Sequence, residues 1–206
     1  MINKSKKKIL ITGGAGFIGS LLATRLVFLG HYVTVVDKFL FKKNSLDHLM
    51  IYENFNLVKG DIRNKKMIKN IVKDKDIIIP LAALVGAPLC EKNKKLAIET
   101  NLNSISYLVS CLKKRQKIIY PTTNSGYGVG EKNKYCDENS ELNPISLYGR
   151  TKVEAEKIIL KHKNSVCFRL ATVFGTSFRM RTDLLVNNLT LIAMKERKLT
   201  MFEPKF

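Results

Sequence analysis

The chain contains 206 residues, 45% of them hydrophobic, and has a formal net charge of +19 at pH 7. Its length suits one domain with a sizeable core, and no stretch approaches the roughly 20 apolar residues that a membrane-spanning helix needs. The lysines are spread along the whole chain, without an aromatic-interleaved basic cluster or a zinc-finger spacing. This favours a solvated basic surface over a nucleic-acid or membrane interface, although a positive field helps to recruit an anionic small substrate.

The cysteines and histidines indicate neither disulfides nor a metal site. Cys90, Cys111, Cys136 and Cys167 lie far apart, none in a CxxC pair, and the histidines are scattered. Unpaired thiols are typical of the reducing cytoplasm, so we predict a cytoplasmic protein without a metal. The N-terminal apolar stretch leads straight into a glycine-rich turn, which predicts a structural element rather than a signal peptide.

The first predicted elements are a strand over 7–12, a tight turn and a helix over 16–29. Residues 7–19 read KKILITGGAGFIG, with Gly13, Gly16 and Gly19 at GxxGxxG spacing. We expect Gly13 to allow a sharp turn, Gly16 to let the backbone approach a pyrophosphate, and Gly19 to let the helix pack close to the strand. The free N–H groups at the helix start would bind the phosphates. This context predicts a dinucleotide site.

The second strand, predicted at 32–37, ends in an acid. Asp37 follows the glycine turn by about twenty residues, where a carboxylate can bind the adenosine ribose diol. Because a carboxylate repels a 2′-phosphate, Asp37 favours NAD over NADP. Lys38 and Lys42 lie just beyond and would soften that preference. The alternative is that Asp37 only ends a strand.

Strands and helices alternate through the rest of the chain. Further strands are predicted near 55–58, 76–81, 117–121 and 165–170, and further helices near 64–73, 94–115, 147–163 and 182–195. The run Ile77-Ile78-Ile79 lacks alternation, which is typical of parallel strands covered on both faces. We predict an α/β protein with a doubly wound parallel sheet, a Rossmann fold, whose ligand lies at the carboxyl ends of the strands. The long loop 122–146 is predicted to be functional.

A YxxxK pair provides the candidate catalytic groups. Tyr148 and Lys152 are four residues apart, so a helix places a phenol beside an ammonium. We expect Lys152 to lower the pKa of Tyr148, so that the phenol exchanges a proton with a substrate hydroxyl or carbonyl, and to reach the nicotinamide ribose. Hydroxyls in 122–128, at the end of a strand, can hydrogen-bond the reacting oxygen. The alternatives are a core-edge tyrosine and a turn that satisfies its own backbone.

The end of the chain predicts an incomplete second unit. We expect residues 1–175 to form an NAD-binding Rossmann domain with the catalytic residues, and residues 176–206 to begin a substrate-binding lobe. Residues 200–206, TMFEPKF, are a fresh apolar segment without a closing helix. The chain is therefore expected to be a fragment whose C-terminal substrate lobe is truncated.

Together these motifs resemble the extended short-chain dehydrogenase/reductase family, specifically its NAD-dependent nucleotide-sugar epimerases and dehydratases. The resemblance covers essentially the whole chain, and the motifs arrive in the family's order. The residues that carry it are Gly13 to Gly19, Asp37, Gly60 to Arg63, Leu81 to Ala83, Asn101, Thr122 to Gly128, Tyr148 with Lys152, and Arg169 to Gly175.

The resemblance implies a role for each matching residue. Asp37 would bind the adenosine ribose, and Asn101 would support the geometry of the active-site helix. Thr123 would be the catalytic Ser/Thr, with Tyr148 as the acid/base and Lys152 as its partner. NAD would be held at its pyrophosphate by Gly13, Gly16, Phe17, Ile18 and Gly19, at its adenine by Asp61 and Ile62, and along its ribose and nicotinamide by Leu81, Ala82 and Ala83.

One departure from the family pattern bears on the reaction. The 4,6-dehydratases carry Asp-Glu directly after the catalytic threonine, where this chain has Asn124 and Ser125. Neither side chain exchanges protons at neutral pH, which disfavours dehydration. Arg179 and Arg181 lie where such enzymes begin to meet the nucleotide sugar, and either can pair with its pyrophosphate. The alternative is a solvated basic loop.

The first functional hypothesis is an NAD-dependent nucleotide-sugar epimerase that transiently oxidises a sugar hydroxyl. A nucleotide-sugar dehydrogenase or reductase, a non-catalytic NAD-binding module and a basic nucleic-acid binder are the alternatives. The expected partner is a nucleotide sugar, with no nucleic acid and no membrane. The resemblance also implies a homodimer through the helices near 94–115 and 147–163.

Overall fold

The described residues form one sheet of parallel strands. The computed structural model describes residues 5–41, 44–130 and 135–199. The strand order is β3-β2-β1-β4-β5-β6, all parallel. It reverses between β1 and β4, as in a doubly wound Rossmann sheet, and the predicted fold class is confirmed. The strands are β1 (Lys8–Thr12), β2 (Tyr32–Asp37), β3 (Phe55–Lys59), β4 (Ile77–Pro80), β5 (Lys117–Thr123) and β6 (Ser165–Leu170).

The helices lie between and after the strands, as the sequence predicted for most of them. In the described ranges they are α1 (Phe17–Phe28), α2 (Lys65–Ile71), α3 (Ala87–Lys92), α4 (Lys94–Ile98), α5 (Ser104–Ser110), α6 (Leu147–Leu160) and α7 (Leu185–Glu196). Short turns of 3₁₀ helix lie at Asp47–Leu49 and Asn124–Gly126.

Two helix predictions were wrong. The single helix expected over 94–115 is interrupted by a π-helical segment at Glu99–Asn103 and ends at Ser110. Helix α3 has no counterpart among the predicted helices. Gly86 adopts a φ of +94° just before α3, and Pro88 lies in its first turn, where a helix needs no N–H donor.

Apolar side chains cover both faces of the sheet. Ile78 belongs to the core shared with α2, α5 and α6, whereas its neighbour Ile79 belongs to the core beneath α1. Successive residues of a strand point to opposite faces, so a strand buried on both faces needs apolar residues throughout. The run of isoleucines in β4 is therefore explained by burial on both faces of the sheet, as predicted.

The chain after β6 crosses back to α1. The Ser177 hydroxyl donates a hydrogen bond to the Phe17 carbonyl oxygen at 2.7 Å. In α7, the Asn187 side chain accepts from the Gly175 N–H and donates to the Arg181 carbonyl oxygen. Lys42 and the predicted apolar end at 200–206 lie outside the described residues. None of the helices in the described ranges has the length and hydrophobicity to cross a membrane.

Candidate active site

The glycine turn follows β1 and lies against the segment after β4. Gly13 has a φ of +74°, and a Cβ there would lie 2.5 Å from the Ala82 nitrogen. A Cβ on Gly19 would lie 2.6 Å from the Gly13 carbonyl oxygen, whereas a Cβ on Gly16 would meet only that oxygen, at 3.2 Å. Packing therefore requires glycine at 13 and 19, and Gly16 leaves one side of the turn open.

Helix α1 begins at this open side without a side-chain cap. Gly16 is its N-cap residue, and its first turn, which includes Phe17 and Ile18, has no acidic side chain. The first N–H groups of a helix lack partners within the helix and carry a partial positive charge. This end of α1 therefore suits a phosphate.

The Asp37 carboxylate lies against the same turn. Its Oδ2 accepts a hydrogen bond from the Ala15 N–H at 2.9 Å, and its Oδ1 accepts from the Phe39 N–H at 2.7 Å. A carboxylate has about four lone-pair positions. Capacity remains for a diol, so the open glycine turn, the uncapped helix and Asp37 together fit a dinucleotide.

Asp61, at the adjacent end of β3, is held by cations. It pairs with the Lys38 ammonium at 3.1 Å and with the Arg63 guanidinium at 2.8 Å, and Arg63 pairs in turn with Glu99 at 2.7 Å. Hydrogen bonds from Arg63 hold the pKa of Asp61 well below its usual range. The Ile62 side chain is buried in the core, so only the backbone of this residue is available to a ligand.

Asn101 fixes the segment after β4. Its Oδ1 accepts from the Leu84 N–H at 2.8 Å, and its Nδ2 donates to the Leu84 carbonyl oxygen at 2.9 Å and to Thr151 Oγ1 of α6 at 3.4 Å. Just before Leu84, Ala82 and Ala83 follow Leu81, whose N–H donates to the Thr12 carbonyl oxygen at 2.8 Å. The π-helical segment carries Asn101 into this buried position, a common use of π-helical turns.

Lys152 is buried at the end of β5. Ser146 caps the N-terminus of helix α6, and its hydroxyl accepts a hydrogen bond from the Gly149 N–H at 3.0 Å. One turn later, the Lys152 ammonium donates to the Pro121 carbonyl oxygen at 2.9 Å and lies 3.8 Å from the centre of the Tyr120 ring. Desolvation lowers the pKa of Lys152 to about 7.

The predicted pKa of Tyr148 is wrong in direction. Burial raises the pKa of the Tyr148 phenol, the nearby Cys90 thiol adds to the rise, and the Arg181 guanidinium opposes it. The Lys152 ammonium, which we expected to lower this pKa, faces Pro121 and Tyr120 instead. Tyr148 is therefore a phenol at neutral pH.

Thr123 lies at the last position of β5. Its Oγ1 accepts from the Ser125 N–H at 3.1 Å and donates to Ser125 Oγ at 3.1 Å. The neighbouring Thr122 hydroxyl is buried and has no hydrogen-bond partner among the described residues.

The two arginines after β6 have different surroundings. Arg181 forms a bidentate ion pair with Asp183, and its charge acts on Tyr148. The Arg179 guanidinium lies 4.5 Å from the centre of the exposed Phe41 ring. Arg181 is therefore the arginine whose charge reaches the proposed acid/base.

Sequence reasoning gave no role to a buried ion pair on the far side of Lys152. Glu156 of α6 and Arg169 of β6 lie 2.8 Å apart, with 4% and 16% of their side chains exposed. The available signal is the spacing of Tyr148, Lys152 and Glu156, which recur every four residues and so share one helix face.

Comparisons with known proteins agree with this geometry. The chain is 30% identical over 210 residues to UDP-glucuronic acid decarboxylase 1 of Xenopus tropicalis, covering 97% of this chain and 49% of that protein. It is 35% identical over 185 residues to dTDP-D-glucose 4,6-dehydratase of Dictyostelium discoideum, covering 81% of this chain and 42% of that protein. The structure of UDP-glucuronic acid 4-epimerase from Bacillus cereus with UDP-glucuronic acid and NAD aligns with a TM-score of 0.79 at 30% identity, over 93% of this chain and 64% of that chain.

The chain spans 39% to 49% of the length of three curated relatives. Residues 9–203 match the model of a family whose description names its cofactor, NAD, which is the cofactor that the glycine turn and Asp37 fit. Since that match covers nearly the whole chain, the protein belongs to the NAD dependent epimerase/dehydratase family.

Proposed function

We propose that the protein is an NAD-dependent nucleotide-sugar epimerase. The observation that carries the proposal is the position of α6, which brings the Lys152 ammonium to the Pro121 carbonyl oxygen at 2.9 Å, with Tyr148 one turn earlier on the same helix. Thr123 ends the same strand. A phenol, an ammonium and a hydroxyl at the carboxyl edge of a parallel sheet are suited to proton exchange with a bound alcohol.

The cofactor would lie between the glycine turn and the segment after β4. When bound, NAD⁺ accepts a hydride from the sugar and returns it, so an epimerisation consumes no net cofactor. Asp37 would hold the adenosine ribose. The pyrophosphate would be held by Gly13, Gly16, Phe17, Ile18 and Gly19, the adenine by Asp61 and Ile62, and the nicotinamide ribose by Leu81, Ala82, Ala83, Tyr148 and Lys152.

The chain's own groups would move the proton. The Tyr148 oxygen takes the proton of a sugar hydroxyl and later gives it back, while the Thr123 hydroxyl donates a hydrogen bond to the reacting oxygen. Lys152, held at Pro121, lies one turn after Tyr148 on α6 and would contact the nicotinamide ribose. Asn101 acts through Leu84, by fixing the wall beside the reacting groups.

Relatives of this chain include a decarboxylase and a dehydratase as well as epimerases. Asn124 and Ser125 follow Thr123 and supply no acid/base pair for the loss of water, which favours epimerisation over dehydration. We further propose that residues 1–175 form the cofactor domain and that residues 176–206 begin a substrate lobe, with Arg181 and Arg179 on the substrate pyrophosphate. A homodimer through α5 and α6 is part of the same proposal.

The test is turnover with a catalytic amount of NAD. Purified protein is incubated with UDP-, GDP- and CDP-sugars, and sugar isomers and NADH absorbance are followed together. Isomers without net NADH support the proposal, stoichiometric NADH replaces it with a dehydrogenase, and carbon dioxide release replaces it with a decarboxylase. If no sugar is turned over while NAD still binds, the chain is a cofactor-binding module without this activity.

A matched pair of tyrosine variants locates the acid/base. Tyr148→Phe should lower turnover by about 10²–10⁴-fold and leave NAD affinity intact. Tyr32 is exposed and begins β2, at the other end of the strand from Asp37, so Tyr32→Phe should change neither turnover nor NAD affinity. Full activity of Tyr148→Phe would contradict the assigned role.

A further inference from the structure

The Glu156–Arg169 pair joins α6 to β6 away from water. Arg169 donates to Glu156 Oε1 from Nη2 at 2.8 Å and from Nε at 3.0 Å. Only 4% of the Glu156 side chain and 16% of the Arg169 side chain are exposed. Because desolvation offsets much of the attraction in such a pair, its presence points to a role in fixing geometry rather than in stability alone.

The third nitrogen of Arg169 reaches the segment between β5 and α6. Nη1 donates to the Tyr127 hydroxyl at 3.1 Å and to the Glu138 and Asp137 carbonyl oxygens at 3.2 and 3.4 Å. The Tyr127 hydroxyl itself donates to the Asp137 carbonyl oxygen at 2.9 Å. One guanidinium therefore ties this segment to α6 through Glu156.

Both ends of this arrangement are close in the chain to the proposed reacting groups. Glu156 lies two helical turns from Tyr148 on one face of α6, and Tyr127 lies four residues after Thr123. The two sides also touch directly, since a Cβ on Gly149 would lie 3.0 Å from the Ser125 carbonyl oxygen. A shift of the segment relative to α6 would therefore change the surroundings of Thr123 and Tyr148.

We propose that Glu156 and Arg169 are positioning residues that hold Tyr127 and residues 135–141 against α6, and thereby fix the wall of the sugar site beside Thr123 and Tyr148. The assignment of that wall to a nucleotide sugar rests on the proposed function. We call the arrangement of Glu156, Arg169, Tyr127 and residues 135–141 the clamp. Its existence rests only on the contacts of Arg169.

The test compares this buried pair with an exposed one on the same helix. Glu154 and Lys157 also lie 2.8 Å apart, but their side chains are 53% and 60% exposed. The variants are Arg169→Lys, which keeps the charge without the planar fork, Glu156→Gln and Arg169→Gln, with Glu154→Gln and Lys157→Gln as controls. The measurements are amide hydrogen exchange, the Kd for NAD, and kcat and KM for the sugar identified by the turnover assay.

We expect the amides of Asp137, Asn139 and Ser140 to exchange at least about tenfold faster in Arg169→Lys and Glu156→Gln, and not in the controls. The Kd for NAD should stay within about twofold, because the hydrogen bonds of Arg169 go to Glu156 and to the segment between β5 and α6, and not to the glycine turn. The KM for the sugar should rise about tenfold, with a smaller fall in kcat.

Unchanged exchange in a folded Arg169→Lys or Glu156→Gln variant would overturn the proposal. A loss of NAD affinity equal to the loss in sugar KM would also overturn it, because that result indicates general destabilisation. If Arg169→Gln does not fold, the two conservative variants still decide the outcome. If the wild type turns over no sugar, the proposed function fails, while the exchange and NAD measurements still decide whether the clamp exists.

Discussion

The Lys152 ammonium lies 3.8 Å from the centre of the Tyr120 ring, and both side chains are almost closed to water. The ring face and the Pro121 carbonyl oxygen contact this charge, and Cys167 and Glu156 favour it from nearby. They compensate only part of the lost hydration, which is why the pKa of Lys152 falls to about 7 from the ordinary 10.5.

This depressed pKa predicts a pH-dependent stability. Between pH values of about 7 and 10.5, Lys152 is neutral in the folded chain but protonated in the unfolded one. The unfolded state then binds more protons, so the free energy of unfolding rises with pH, by up to about 1.4 kcal/mol per pH unit from this group. Below pH 7 both states are protonated and the contribution is constant.

The measurement is urea unfolding of the wild type and of Lys152→Met at several pH values. Wild-type stability relative to the variant should rise from pH 7 to pH 10, and parallel curves would contradict the prediction.

Glycine 13 provides a second prediction. Gly13→Ala places a Cβ 2.5 Å from the Ala82 nitrogen at a φ of +74°, so both strain and overlap oppose it. We expect a loss of about 3 kcal/mol in unfolding free energy and at least tenfold weaker NAD binding. The control is Gly30→Ala, where φ is +81° but the nearest atom is Lys6 Cε at 3.8 Å. That variant has the backbone strain alone, so it should lose about 1 kcal/mol and bind NAD normally. Equal effects in both variants would mean that the contact with Ala82 is unimportant.

Two adjacent threonines should respond oppositely to the same substitution. The Thr122 hydroxyl is buried without a partner in the described part of the chain, so Thr122→Val removes a desolvated polar group and should stabilise the protein by about 1 kcal/mol. Thr123→Val breaks two hydrogen bonds with Ser125 and should destabilise it by about 1 kcal/mol. Thermal and urea unfolding measure both changes. A destabilising Thr122→Val would reveal a partner for that hydroxyl, such as a bound water.

Cofactor preference follows from Asp37 and the position of Lys38. Lys38 was expected to soften the preference for NAD, but its ammonium lies 3.1 Å from Asp61. We therefore expect Lys38→Gln to leave the ratio of NADP to NAD dissociation constants within about twofold of wild type. Asp37→Asn, which removes the charge that repels a 2′-phosphate, should lower that ratio at least tenfold. Direct titration with both cofactors decides, and an unchanged ratio in Asp37→Asn would remove Asp37 from the cofactor site.

Local sequence was enough for most of the fold. The six strands were predicted to within a few residues, because β-branched runs between glycine and polar turns are a short-range signal. The broken helix after β4 was not predictable in this way. Its π-helical segment brings Asn101 to Leu84, a contact that spans 17 residues and exists only once β4 and the helix are packed.

The sequence alone indicated the glycine turn, the position of Asp37 at a strand end and the Tyr148–Lys152 spacing. Turn geometry and helix periodicity depend on residues that are neighbours in sequence. Tertiary packing decided which charges those groups meet. In the folded chain, Lys152 contacts Pro121 rather than Tyr148, and burial raises the pKa of Tyr148. Packing also pairs Glu156 of α6 with Arg169 of β6. Desolvation and Coulomb interactions depend on distances in space, which sequence spacing does not fix beyond one or two helical turns.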